Sequence, residues 1–210
     1  MNIKTEIKEA YVENKKIFAI LFVIFIAGFI IGCIFADDIA PVLMPILKQA
    51  MGAENISSVN AFDIIFHNES TAILVFLGSI LFGIYAILSI SVNGFIMGFM
   101  AGHTIKSTYS LIMYLALIVP HGIIEIPAFF SSCTAGILLF LFIFRVIKDM
   151  INKNTFSQSY ENNKKNLKHA IILILIAVVL FLIAGLIEGF ITPHIGNIIS
   201  QQLGGPNLLK

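Results

Sequence analysis

Few side chains in this 210-residue sequence can do chemistry, and the most informative lie in Pro120-His121-Gly122-Ile123-Ile124-Glu125-Ile126-Pro127-Ala128. His121 and Glu125 are four residues apart, which puts an imidazole and a carboxylate on one face of a helix. Such a pair can share a proton, stabilise each other's charged forms or help to hold a metal ion. A second polar group lies in Ile187-Glu188-Gly189-Phe190-Ile191-Thr192-Pro193-His194, where Glu188 ends an apolar run and His194 follows it. His103 and Asn68 fall at a similar level. A polar cluster of His121, Glu125, Glu188, His194, Asn68 and His103 is therefore expected in the outer half of a helical bundle.

Three chemistries fit these residues: a polar network that locks helices together, a proton or solute pathway, and a metal site. The metal site would use His121, Glu125, Glu188 and His194, a His/carboxylate set that suits zinc. HxxxE spacing alone does not specify a metal, and it is not the HExxH of zinc proteases. Pro120 disfavours helix at the residue before it, which predicts a bend there and a new helix start whose free N–H groups face His121. Ser131 and Ser132 have no identifiable base, and there is no Ser/His/Asp or Cys/His arrangement and no phosphate-binding loop. Cys33 and Cys133 lie in apolar runs and read as small packing residues. No cofactor is specified by the sequence.

The elements that must position these groups belong in a membrane. Hydrophobic residues make up 58% of the chain and charged residues 12%, about half the share of charges in soluble domains. Ile17 to Ala36, Ser70 to Ile105, Ser107 to Ile124, Ile126 to Phe144 and His169 to Ile187 contain no Asp, Glu, Lys or Arg. About 20 apolar residues cross a hydrocarbon core of about 30 Å. The first run is too long for a signal-peptide core and lacks a small-x-small cleavage site. The bulky Ile31 argues against a lipoprotein box at Ile30-Ile31-Gly32-Cys33. With a net charge of +1, no global field favours nucleic acid.

Basic residues mark the cytoplasmic ends of membrane helices. Residues 1–16, with Lys4, Lys8, Lys15 and Lys16, read as a cytoplasmic amphipathic segment of a single membrane domain spanning 1–210. Residues 37–70 read as an external loop that carries acids, an apolar face from Pro41 to Met51 and Asn-x-Ser triplets at Asn55 and Asn68. Residues 145–168, with Arg145, Lys148, Lys153, Lys164, Lys165 and Lys168, read as a cytoplasmic basic loop. Five spans follow: 17–36, 71–92, a short Gly-rich 94–105, 123–144 and 169–190. Residues 109–119 are too short to cross and read as a broken, re-entrant half-helix before Pro120, permissible where protein or water covers the backbone. The expected fold is an all-α polytopic transmembrane bundle.

Glycines recur four apart at Gly28 and Gly32, at Gly94, Gly98 and Gly102, and at Gly185 and Gly189. Such rows let helix backbones approach closely in lipid. They are expected to serve helix packing, with a homodimer through these faces as one arrangement.

These motifs carry a resemblance. Pro120-His121-Gly122-x-x-Glu125-x-x-Ala128 and Ile187-Glu188-Gly189-Phe190-Ile191-Thr192-Pro193, with support from Ile65-Phe66-His67-Asn68 and Asn93-Gly94-x-x-x-Gly98, resemble the stage II sporulation protein M family along nearly the whole chain. Position 67, and Gly189 where alanine is expected, are departures. In endospore formers the resemblance implies a scaffold that holds cell-wall hydrolases at the engulfing septal membrane. Relatives in bacteria and archaea that do not sporulate keep that role from transferring directly, and the resemblance supplies no catalytic residue. The expected function is thus a multi-pass scaffold or membrane-remodelling component of the cell membrane that docks partner proteins. The alternative is a transporter or channel using His121 and Glu125 as an ion or proton site, and a third option is an intramembrane metal-dependent enzyme.

The charge asymmetry predicts a topology. In a background lacking Cys33 and Cys133, an impermeant thiol reagent applied to intact cells should label Asn55→Cys and spare Ser157→Cys. Labelling at position 157 would overturn the assignment of sides.

Overall fold

The computed structural model describes residues 3–50, 61–79, 83–152 and 154–204, and the side chains of all of these except 48–50 and 61–69. Asn68 and both Asn-x-Ser triplets therefore lie outside the described side chains. The described residues are all-α: α1 (Ile3–Glu13), α2 (Lys15–Ile34), α3 (Ala36–Ala50), α4 (Ala61–Gly78), α5 (Ile84–Thr104), α6 (Thr108–Ile151) and α7 (Phe156–Leu186), then a π-helical turn (Ile187–Ile191) and α8 (Thr192–Gln202). Among the described residues, four stretches are long and apolar enough to cross a membrane by length and composition: α2, α5, α6, and the 47 residues from Phe156 to Gln202. Large apolar side chains such as Ile20, Val23, Leu175 and Val179 point outward from them, as lipid-facing helices require. The molecule is a membrane protein.

Within the bundle, two of the helix boundaries expected from the sequence fall elsewhere. No break occurs at Asn93. Its side chain donates to the Ser89 carbonyl at 3.0 Å, so it satisfies itself inside the helix, and residues 94–105 are the second half of α5 rather than a separate short span. The break lies upstream, at Gly83, whose φ of +65° suits glycine. Residues 71–92 are accordingly divided between α4 and α5.

Residues 109–119 are not re-entrant either. They begin α6, a single helix of 44 residues that runs through Pro120 and Pro127. Each proline removes one helical N–H, and a membrane helix tolerates that loss where neighbours cover the backbone. Consequently no new helix N-terminus faces His121. The start of α6 is set instead by Ser107, whose hydroxyl accepts from the Ser110 backbone N–H at 3.1 Å.

Two further segments expected as loops are largely helical. Residues 37–70 contain most of α3 and the first half of α4. Within 145–168, α6 continues to Ile151 and α7 begins at Phe156, capped by a Thr155/Gln158 box. The polar, basic composition of that segment marks helix ends standing clear of the hydrocarbon, not an unstructured loop.

Packing follows two pairings. In the first, α2 and α5 run parallel in backbone contact. A Cβ added at Gly94, Gly98 or Gly102 would fall 2.3, 1.9 or 2.7 Å from the carbonyl oxygen of Phe25, Phe29 or Cys33. From the other side, a Cβ at Gly28 or Gly32 would fall 2.6 or 2.1 Å from that of Ser91 or Phe95. Hydrocarbon offers no hydrophobic drive between helices, so close approach supplies the attraction. At these five positions the faces expected to serve a dimer are occupied within one chain.

In the second pairing, α6 runs antiparallel to α7, the π turn and α8, with Ala135 and Leu138 against Ala170 and Leu173. An aromatic cluster of Phe25, Phe129, Phe130 and Phe181 joins the two pairs. Ser132 donates to the Ala72 carbonyl of α4 at 2.8 Å, and Tyr11 bonds Ser131 at 2.9 Å. α1 is tied to the start of α7 by ion pairs from Glu6 to Lys168 and from Glu13 to Lys165. The Lys165 ammonium holds the Glu13 carboxyl below its usual range.

The glycine contact makes an asymmetric prediction for thermal unfolding in detergent. Gly98→Ala should lower stability by at least about 1–3 kcal/mol, the cost of overpacking, and Gly98→Leu by more. Gly122→Ala should be tolerated, since its Cβ would meet only Ile118 Cγ2, at 3.5 Å. Equal thermal midpoints for Gly98→Ala and the wild type would refute the contact.

Candidate functional site: a His/Glu/Glu cluster between two antiparallel helices

The antiparallel register of α6 against the π turn and α8 sets two residues of one helix opposite two of the other. His121 faces Thr192, and Glu125 faces Glu188. His121 Nε2 lies 3.7 Å from Glu125 Oε2, as the four-residue spacing dictates. On its other edge, His121 Nδ1 lies 3.4 Å from Thr192 Oγ1. One ligand-type atom from each of His121, Glu125 and Glu188 lies within 4.8 Å of the other two. The imidazole is 13% exposed and the Glu125 side chain 34%, so neither stands free in solvent.

Glu188 lies on a stretch where the helix changes pitch. Across Ile187–Ile191 the backbone adopts a π turn, closed by the Thr192 N–H donating to the Ile187 carbonyl five residues back. Pro193 supplies the cause. It has no N–H to give the Gly189 carbonyl, and its ring crowds that oxygen. The wider turn relieves the clash, and the helix then continues to Gln202. Glu188 and Thr192 are four residues apart and both face α6, as His121 and Glu125 share one face of the other helix. Single π turns of this kind recur at functional sites.

A cavity of about 250 Å³ adjoins the cluster, with His121, Glu125 and Gly122 of α6 in its wall beside Asn93 and Met97 of α5 and Phe25 of α2. Tyr114 helps to fix this wall by donating to the Met97 carbonyl at 3.0 Å. Thr192 and Asn93 were not singled out from the sequence as site residues. Both are polar residues at the edge of or inside apolar runs, which is the signal that could have found them.

Of the other expected members, Asn68 falls outside the described side chains, and His103 and His194 lie elsewhere. His103, at the end of α5, sits 3.6 Å from Asp37 at the start of α3, stacks on Phe99 and belongs to a separate polar patch with Lys106. The Lys106 ammonium there holds the Asp37 carboxyl below its usual range. His194 is exposed and donates through Nδ1 to the Phe190 carbonyl at 2.9 Å. It lies past Pro193 and shares no contact with His121. Gly185 is buried in α7, and Gly189 lies within the π turn.

Chemically, the arrangement is a pair of carboxylates with one imidazole. Like charges in one site repel unless a proton or a cation stands between them, so the cluster is a place where a positive species is stabilised. The Thr192 contact leaves Nε2 as the imidazole atom that faces the carboxylates.

An uncharacterized protein of Methanocaldococcus jannaschii is 32% identical over 174 residues, covering 83% of this chain and 92% of that one. A second uncharacterized protein of the same organism is 28% identical over 155 residues, or 73% of this chain and 64% of that one. No solved structure matches. The family described as Stage II sporulation protein M matches residues 21–193, a stretch that holds α5, α6 and every residue of the cluster. The chain belongs to the stage II sporulation protein M family.

Proposed function

We propose that this membrane protein is a transporter or channel in which His121, Glu125 and Glu188 bind the ion or proton that passes. The observation that carries this reading is the cavity of about 250 Å³ with His121 and Glu125 in its wall. An ion that enters and leaves needs open space beside its ligands, which a network that merely locks helices does not. Ionisable groups inside membrane helices mark ion pathways by default, and transporters place such groups where a helix departs from regular geometry. Here that departure is the π turn at Glu188.

A second reading, a scaffold that docks partner proteins, draws on the length of α6. Its 44 residues extend about 66 Å at about 1.5 Å per residue, against a hydrocarbon core of about 30 Å. Much of the α6–α7 hairpin thus stands outside the lipid, where partners can reach it. In either reading the protein sits in the cell membrane with its N-terminus in the cytoplasm. The ion pairs between α1 and the start of α7 support that orientation, because they bring two lysine-rich segments to one end of the bundle.

Reconstitution into vesicles tests transport. Wild-type protein should carry protons or cations down an imposed gradient, and Glu125→Gln should abolish the flux while eluting from gel filtration as the wild type does. Absence of flux in the wild type would exclude the reading. So would a Glu125→Gln variant that conducts normally. If the cluster only locks helices, Glu125→Gln will instead lower thermal stability and add little in a His121→Ala background.

A further inference from the structure

Resting on the ion-binding reading of this same site, we propose that His121, Glu125 and Glu188 bind one divalent transition-metal ion of the zinc class, with Thr192 as the residue that orients the imidazole. Geometry is the first argument. Two ligands about 2.1 Å from a tetrahedral ion are about 3.4 Å apart. His121 Nε2 and Glu125 Oε2 already stand 3.7 Å apart, and the ligand atoms of all three residues fall within 4.8 Å of one another. Small rotations of the carboxylates close the remaining distance.

The second argument is the neighbour behind the ligand. Metal-bound histidines commonly donate their other ring nitrogen to a fixed acceptor, which sets the tautomer and the orientation of the ring. Thr192 Oγ1 stands 3.4 Å from Nδ1, on the opposite edge of the ring from the carboxylates, and Thr192 is itself 5% exposed. With the proton on Nδ1, the Nε2 lone pair points into the cluster.

Charge selects the valence. A neutral imidazole, two carboxylates and one divalent cation sum to zero, and a neutral set is what a bundle in hydrocarbon can hold without an unbalanced charge. A monovalent cation would leave one negative charge over. The donor types select the class of ion. Imidazole nitrogen suits zinc, iron and nickel better than magnesium or calcium, and the absence of thiolate from the set excludes a copper(I)-type site. Cys33 packs on Gly102, and Cys133 lies in the aromatic core between α6 and α7. Three protein ligands leave one tetrahedral position for water or another ligand. The cavity beside His121 and Glu125 has room for several waters.

Tag-free protein, stripped with a chelator and titrated with zinc chloride in detergent, should bind one ion per chain by elemental analysis. Glu125→Gln and Glu188→Gln should weaken binding at least tenfold. Thr192→Val, which removes no ligand, should weaken it about 10–100-fold, as loss of an orienting partner does. His103→Ala and His194→Ala should bind as the wild type does. Cobalt(II) in place of zinc gives a visible ligand-field spectrum that reports the ligand set, and Thr192→Val should perturb it even if the Gln variants fail to fold. Failure of the wild type to bind zinc, or wild-type affinity in both Gln variants, would overturn the metal site. Flux that depends on Glu125 without zinc binding leaves transport standing and removes the metal. Stoichiometric zinc without any flux does the reverse.

Discussion

Hydrocarbon offers a polypeptide no hydrogen bonds, so each backbone N–H and C=O in this chain must be satisfied by the chain itself. That constraint makes every described element helical. It also decides where irregular backbone can stand. Pro120 and Pro193 each take one donor out of a helix, and each lies next in sequence to a member of the site: His121 follows the first, and Thr192 precedes the second. Polar side chains sit where the helical ladder is interrupted. The second interruption, as a π turn, also carries Glu188.

A second consequence concerns how the helices hold together. Apolar side chains gain nothing by leaving lipid for another helix, so contact depends on shape. The α2–α5 pair solves this with glycine on both partners, which lets the two backbones touch. The α6–α7 pair solves it with alanines and small hydroxyl residues, and with serines that bond carbonyls of their own or neighbouring helices. The α2–α5 and α6–α7 pairs meet through the phenylalanine cluster, and the cavity lies near that seam.

Much of this was legible in the sequence. Apolar runs and sparse charge announced the membrane helices, and the four-residue spacing of His121 and Glu125 placed them on one face. Equating the levels of Glu125 and Glu188 led to the right pair. The misplaced break at Pro120 came from reading a proline as it acts in a water-soluble helix. In lipid, an asparagine bonds back to its own helix, and a proline is tolerated under neighbouring helices. His103 and His194 were grouped with the cluster because depth along a bundle is readable from charge patterns. The direction in which a residue faces is not.

The glycine contact also has an order in time. α2 emerges from the ribosome before α5, and the whole of α3 and α4 must be made between them. At about 5–20 residues per second, α2 spends several seconds in the membrane with Gly28 and Gly32 turned toward lipid or toward whatever helix lies near. The nascent protein therefore passes through a stage in which its first membrane helix is a half-made joint.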